Sequence, residues 1–197
     1  MEPTVIFRDF EERDIDFIYR CKNDEKLNST IVGQFRPFSH EDAEKWVHGC
    51  MGEHETYKFW AIATNDEEQR IVGWVSLSNI DNMNKSACFH GIVIGDADYR
   101  DGFAWVETYR FVLEYVFERL NLHRMCGSHL VSHKQSDAIA HALFIRNEGI
   151  QKEAIFKNAK YEDLSIDAIL ADEYFAHKEA GDYEFKKIVK RLINNLK

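Results

Sequence analysis

The stretch Gly91-Ile92-Val93-Ile94-Gly95-Asp96-Ala97-Asp98-Tyr99-Arg100 is where the chain changes its period. Up to Gly95 it belongs to an apolar run, Ala87–Gly95, of a length that suits a buried strand. Beyond Arg100, Val106, Tyr109, Val112, Leu113, Val116, Phe117 and Leu120 fall at helical spacing over about four turns. A buried strand feeding an amphipathic helix marks an α/β arrangement, and the flanking segments fill it in.

Upstream, Phe59–Thr64 and Arg70–Ile80 read as strands joined by the polar turn Asn65-Asp66-Glu67-Glu68-Gln69. The second polar turn, Asp81–Lys85, then leads into Ala87–Gly95, which makes an antiparallel meander. Before it come a strand at Thr4–Phe10 and a helix over Glu12–Cys21 with Ile15, Ile18 and Tyr19 on one face. A second helix is capped by Ser39, where Ser39-His40-Glu41-Asp42 resembles a capping box, with Trp46 and Val47 on its apolar side. Downstream, Arg124–Leu130 reads as a strand and Ser136–Arg146 as a helix. Ala154–Phe156 and Leu164–Ala171 close the fold around the turn Lys157-Asn158-Ala159-Lys160. This order predicts one α/β (α+β) domain over residues 1–175, with a mixed, mostly antiparallel sheet of about seven strands and flanking helices.

Residues 176–197 form a separate amphipathic helix extension. Phe185, Ile188, Val189, Leu192, Ile193 and Leu196 make its stripe, backed by Lys186, Lys187, Lys190, Arg191 and Lys197. Such a helix packs on its own domain, covers a second copy as a homodimer or another partner, or lies on a membrane surface.

Composition sets the outer bounds. With 197 residues, 45% of them hydrophobic, the chain can bury a core of its own, and a net charge of −9 argues against a general nucleic-acid binder. No apolar run approaches the roughly 20 residues of a membrane span. The opening Met1-Glu2-Pro3-Thr4-Val5-Ile6-Phe7-Arg8 lacks the basic and apolar blocks of a secretory leader. Cys21, Cys50, Cys88 and Cys126 are too scattered for a disulfide framework or a zinc knuckle, so a reducing, cytoplasmic setting is expected. His129-x-x-x-His133-x7-His141 is read as histidines around a strand-to-helix loop rather than as metal ligands, because Leu130 and Val131 end a strand.

The central stretch, together with Leu113-Glu114-Tyr115-Val116-Phe117-Glu118-Arg119-Leu120-Asn121-Leu122-His123-Arg124, Glu148-Gly149 and Lys160-Tyr161-Glu162-Asp163, resembles the GNAT superfamily of N-acetyltransferases. Within it, the branch that modifies ribosomal-protein N-termini, spermidine and small amines is the most similar. The resemblance covers roughly residues 4–175 and implies the acyl-CoA N-acyltransferase fold. It implies acetyl-CoA lying in a wedge where the fourth and fifth strands splay, with its diphosphate on a turn of the form Arg-x-x-Gly-x-Gly/Ala at a helix N-terminus. A free primary amine, of a small molecule or a protein N-terminus, then attacks the thioester.

Placed on this chain, the resemblance makes Ile92, Val93 and Ile94 the cofactor-pairing strand, and Arg100, Asp101, Gly102, Phe103 and Ala104 the diphosphate turn. Phe103 and Trp105 stand where the superfamily has glycines, and Ala140 stands where many members carry a proton-donating tyrosine. Two readings follow. A one-residue shift makes Gly102-x-Ala104 the working turn, or the bulky pair fills the cleft and leaves a catalytically silent protein that binds a ligand or partner. His90 is the candidate base and Cys88, on the same face of a regular strand, a candidate nucleophile. Phe35, Arg36, Trp74 and Ser76 are candidates for contact with the acceptor.

Overall fold

The computed structural model describes residues 4–29, 31–32, 35–100 and 102–195. Seven strands form one sheet: β1 (Val5–Arg8), β2 (Lys58–Thr64), β3 (Ile71–Asp81), β4 (Ser86–Ile94), β5 (Arg124–Leu130), β6 (Arg146–Lys157) and β7 (Lys160–Leu170), in the order β1-β2-β3-β4-β5-β7-β6. Every neighbouring pair is antiparallel except β4 and β5. Asp101, Leu196, Lys197 and the opening Met1, Glu2 and Pro3 lie outside the described residues.

Helices cover both faces of the sheet. On one face α4 (Phe103–Glu114), α5 (Lys134–Ala142), α6 (Ala171–Glu179) and α7 (Phe185–Asn195) close over the main core, with Val112, Leu113, Ile139, Tyr174 and Ile188 buried against Ile62, Val75, Ile94 and Ile169. On the other, α1 (Ile15–Lys22) and α3 (His40–Cys50) bury Phe17, Ile18, Ala43 and Val47 against Ala61, Ile71 and Trp74. The short α2 (Glu25–Asn28) links them. Ser39 caps α3 as expected, accepting from the Asp42 amide at 3.0 Å while Asp42 accepts from the Ser39 amide at 3.0 Å.

Four expectations need correcting. Tyr19 faces solvent, and Phe17 takes its place on the buried side of α1 beside Ile18. The helix expected over Ser136–Arg146 ends at Ala142, because Phe144 enters the left-handed region (φ 60°) and turns the chain into β6. β6 itself starts at Arg146 rather than Ala154; it is the outer strand of the sheet, mostly exposed, so it carries no apolar alternation to announce it. The helix read from Val106 begins at Phe103 and widens into a π-turn at Tyr115–Arg119.

The tail shares the main core. α6 runs through residue 175, and Tyr183 and Ile188 beyond it are buried. Arg191 Nε donates to the Ala142 carbonyl at 2.8 Å and Asn195 Nδ2 to the Ala138 carbonyl at 3.2 Å, fastening α7 to α5. Ile188 of the stripe is thus buried against its own domain, while Ile193 remains exposed.

Candidate active site

The parallel pair β4 and β5 stays in register for four steps, Ser86↔Arg124, Ala87↔Met125, Cys88↔Cys126 and Phe89↔Gly127, and then parts. Beyond Phe89, β4 keeps its partner on the other side, with Val75↔Ile92, Trp74↔Val93 and Gly73↔Ile94. One edge of Ile92–Ile94 therefore faces an opening rather than a strand. A bulge sits at the point of parting. Ser76 pairs with Gly91 and Leu77 with Phe89, which leaves His90 as an extra residue, and Gly91 adopts φ 116°.

The bulge changes which side chains share a face. Ala87 and Phe89 face the main core before it, and Ile92 and Ile94 face the same core after it. Val93 turns to the second core. The expected alignment of Cys88 with His90 assumed a regular strand, and the bulge falls within that pair. Cys88 is instead paired with Cys126, the two Sγ atoms 2.7 Å apart, while His90 is exposed. Burial, reinforced by the Cys88 thiol, pushes the Cys126 thiol up to about 12.

From Ile94 the chain turns into α4 through a braced loop. Asp96 caps the short turn Ala97–Tyr99 by accepting from the Asp98 amide at 3.0 Å, and it pairs with Arg70 at 2.7 Å. Arg100 folds back, its Nε donating to the Ile94 carbonyl at 2.9 Å and its NH2 to the Gly95 carbonyl at 2.7 Å. The guanidinium expected at a phosphate thus acts as a clamp on the loop. Gly102 caps α4 at φ 96°, in the left-handed region that glycine tolerates best, and no atom lies within 4 Å of where a Cβ would stand. Ala104 is buried below it, and the first turn of α4 carries no acidic side chain. A diphosphate suits such a turn, which offers helix-terminal amides and, among the described residues of the cap and first turn, no carboxylate. Phe103 points away, its ring stacked on Phe185 of α7, and Trp105 is half-buried against the main core.

The candidate acceptor residues are not gathered in one place. Trp74 is buried in the second core beside Trp46, with Lys22 Nζ 5.2 Å from its ring, and Ser76 is buried in the sheet. Both were expected to reach substrate; their position between β2 and β4 makes them part of the sheet packing. Phe35 and Arg36 are exposed in the segment that precedes α3. Earlier in the same connection the tip of the β6–β7 hairpin is anchored, Lys157 Nζ donating to the carbonyls of Asn28 (2.9 Å) and Ile31 (2.8 Å).

A further polar group sits at the parting of the strands on the α4 side. His129 pairs with Asp167 of β7, Nδ1 to Oδ2 2.8 Å, and Asp167 also accepts from Ser165 Oγ (2.9 Å) and Asn147 Nδ2 (3.2 Å). Burial would raise the Asp167 carboxyl, but these hydrogen bonds more than offset it and hold the group below the usual carboxylate range. His129 was visible in the sequence only as one of three spaced histidines. Its partner could be found only from the register that sets Gly127 beside Asp167 and His129 beside Ser165. Among the described residues no cluster of three or more His, Cys, Asp or Glu is arranged to hold a metal ion.

Comparison with known proteins agrees with this geometry. The family described as Acetyltransferase (GNAT) domain matches residues 4–143. Spermidine N(1)-acetyltransferase of Vibrio cholerae is 25% identical over 180 residues, covering 91% of this chain and 100% of that protein. The crystal structure of spermidine N-acetyltransferase from Vibrio cholerae in complex with CoA and spermine superposes with a TM-score of 0.76 at 22% identity, covering 87% of this chain and 98% of that one. An acetyltransferase of the GNAT family from Bacillus anthracis gives 0.73 at 22% identity, covering 88% and 98%. At these identities the structures establish likeness of fold.

Proposed function

Since the chain belongs to the GNAT acetyltransferase family, we propose that it transfers the acetyl group of acetyl-CoA to a primary amine, with small polyamines of the spermidine type as the first acceptors to test. The protein is a GNAT-type acetyltransferase; the donor, the acceptor and the residues in contact with them are our reading. The observation that carries it is the parting of β4 and β5 together with a start of α4 at Gly102 that no side chain caps and whose first turn holds no acidic residue.

In this reading the edge of Ile92–Ile94 that has no β5 partner pairs with the pantetheine arm short of the Ile94 carbonyl, which Arg100 holds, and the amides from Gly102 to Trp105 receive the diphosphate. Arg100 and Asp96 act through the loop they brace, holding those amides in place before the ligand arrives. Acetyl-CoA supplies an activated thioester; the chain supplies position and donors for the polarised carbonyl. The acceptor enters from the opposite face, under the hairpin tip that Lys157 ties to Asn28 and Ile31. His90, exposed at the bulge, is placed to take a proton from the incoming ammonium. An acidic chain with charge −9 attracts a polycation at long range. Four free cysteines and no described helix long and apolar enough to cross a membrane support a cytoplasmic setting.

The test is direct. Acetyl-CoA titrated by calorimetry should bind and should raise the melting temperature by mass action, and acetylated spermidine should be detected by mass spectrometry. Absence of both binding and a thermal shift at millimolar acetyl-CoA would replace this reading with a catalytically silent one.

A further inference from the structure

In the acyl-transfer reading a thiolate is released where β4 and β5 part, and an imidazole is built into the sheet beside that point. His129 follows Gly127, the last residue of β5 paired to β4, and shares its face with Phe89 and Asp167. Its side chain is 12% exposed and that of Asp167 is 8% exposed. With Nδ1–H committed to the Asp167 carboxylate, Nε2 is the position where a proton comes and goes. That atom faces α5, 4.0 Å from Asp137 Oδ1. Ala140, which stands where the superfamily resemblance places a tyrosine, lies three residues further along α5 and so on the same side of the helix.

We propose that His129 is the proton donor to the leaving thiolate and that Asp167 is the residue that positions it. The inference rests on the acyl-transfer reading above. The protonated ring gives its Nε2 proton to sulfur as the carbon–sulfur bond breaks and the carbon–nitrogen bond is completed. The acceptor ammonium loses two protons, one by way of His90 to solvent before attack and one to solvent as the amide forms, and the neutral ring of His129 regains one from solvent. One proton is released overall. Asp167, kept ionised by Ser165 and Asn147, offsets the charge of the ring before transfer and keeps the tautomer after it. The other groups near this pair are Asp137 of α5, which His141 also approaches at 3.7 Å, His133 at the start of α5, and, on the Asp167 side, the buried Tyr109 of α4.

Three measurements on the full chain test this. His129→Gln should lower kcat for spermidine acetylation by about 100-fold and change the pH profile of kcat. Calorimetric affinity for CoA should stay within about threefold. Nitrogen-15 NMR of the parent should show the His129 ring protonated at Nδ1 at high pH, and Asp167→Asn should abolish that preference even where its melting temperature is lowered. An unchanged kcat and pH profile in His129→Gln, or an Nε2-protonated ring in the parent, would overturn the proposal. A parent that binds no CoA overturns instead the reading beneath it, and calorimetry on the parent identifies that case first.

Discussion

Phe103 lies nearly parallel to Phe185, with ring centroids 5.5 Å apart and planes inclined by 19°. The contact joins the first residue of α4 to the first residue of α7, so a bulky side chain at a position expected to crowd the cleft is drawn out of it. Replacing Phe103 with alanine should therefore gain no acetyl-CoA affinity. It should cost about 1–2 kcal/mol of stability, since a partly exposed aromatic pair is lost, as read from urea midpoints.

Gly102 is held at φ 96° at the cap of α4. Gly102→Val would force a branched side chain into that conformation and tilt the following amides. A loss of about 1–3 kcal/mol is expected, together with a rise in acetyl-CoA KM of at least about tenfold. Steady-state kinetics with the acceptor held saturating would show whether KM moves.

How far the fold could be read from sequence follows from where period and burial coincide. The passage from β4 to α4 was legible because a continuous apolar run gives way to helical spacing within a few residues, and Ser39 declared the start of α3. β6 was cut short because Asn147, Glu148, Gln151 and Lys152 face water on an outer strand and leave no pattern. The site was harder. A bulge at His90 inverts the facing of every later side chain on β4, and nothing in Cys88-Phe89-His90-Gly91 except the glycine hints at it. Trp74 reads equally well as pocket or core until the second layer of α1 and α3 is in place. The His129–Asp167 pair exists only through the register of β5 on β7.

Arg8 grips Asp14 with two hydrogen bonds of 2.8 Å, and Asp14 is almost wholly buried. Asp14→Ala would leave the guanidinium without its partner, and the Glu11 amide would lose its acceptor as well. Destabilisation of about 3–5 kcal/mol is expected, far more than for surface pairs such as Lys45–Glu41.

Acid should expose the contribution of Asp167. Its folded pKa is depressed, so the stability it confers is present above the unfolded carboxylate value, near pH 4, and is lost as pH falls through the lower folded value. Chemical denaturation between about pH 3 and pH 7 should show a shallower acid limb in Asp167→Asn than in the parent.

Thiol chemistry should be slow. Burial pushes Cys21 up to about 11 and Cys50 up to about 12, and Cys126 likewise stands at about 12. With almost no thiolate at pH 8, these three should resist iodoacetamide in the folded state and react fully in urea, as counted by peptide mass spectrometry.

The sheet contains a fault line. Between β4 and β5 it is stitched by four residue pairs, and above Phe89 and Gly127 the two halves touch through no ladder at all. The joint is spanned on one side by α4, α5 and α7, which are fastened to one another by Phe103 on Phe185 and Arg191 on Ala142. The sheet is thus built as two leaves bound along a helical spine, with a gutter between them that main-chain pairing leaves open.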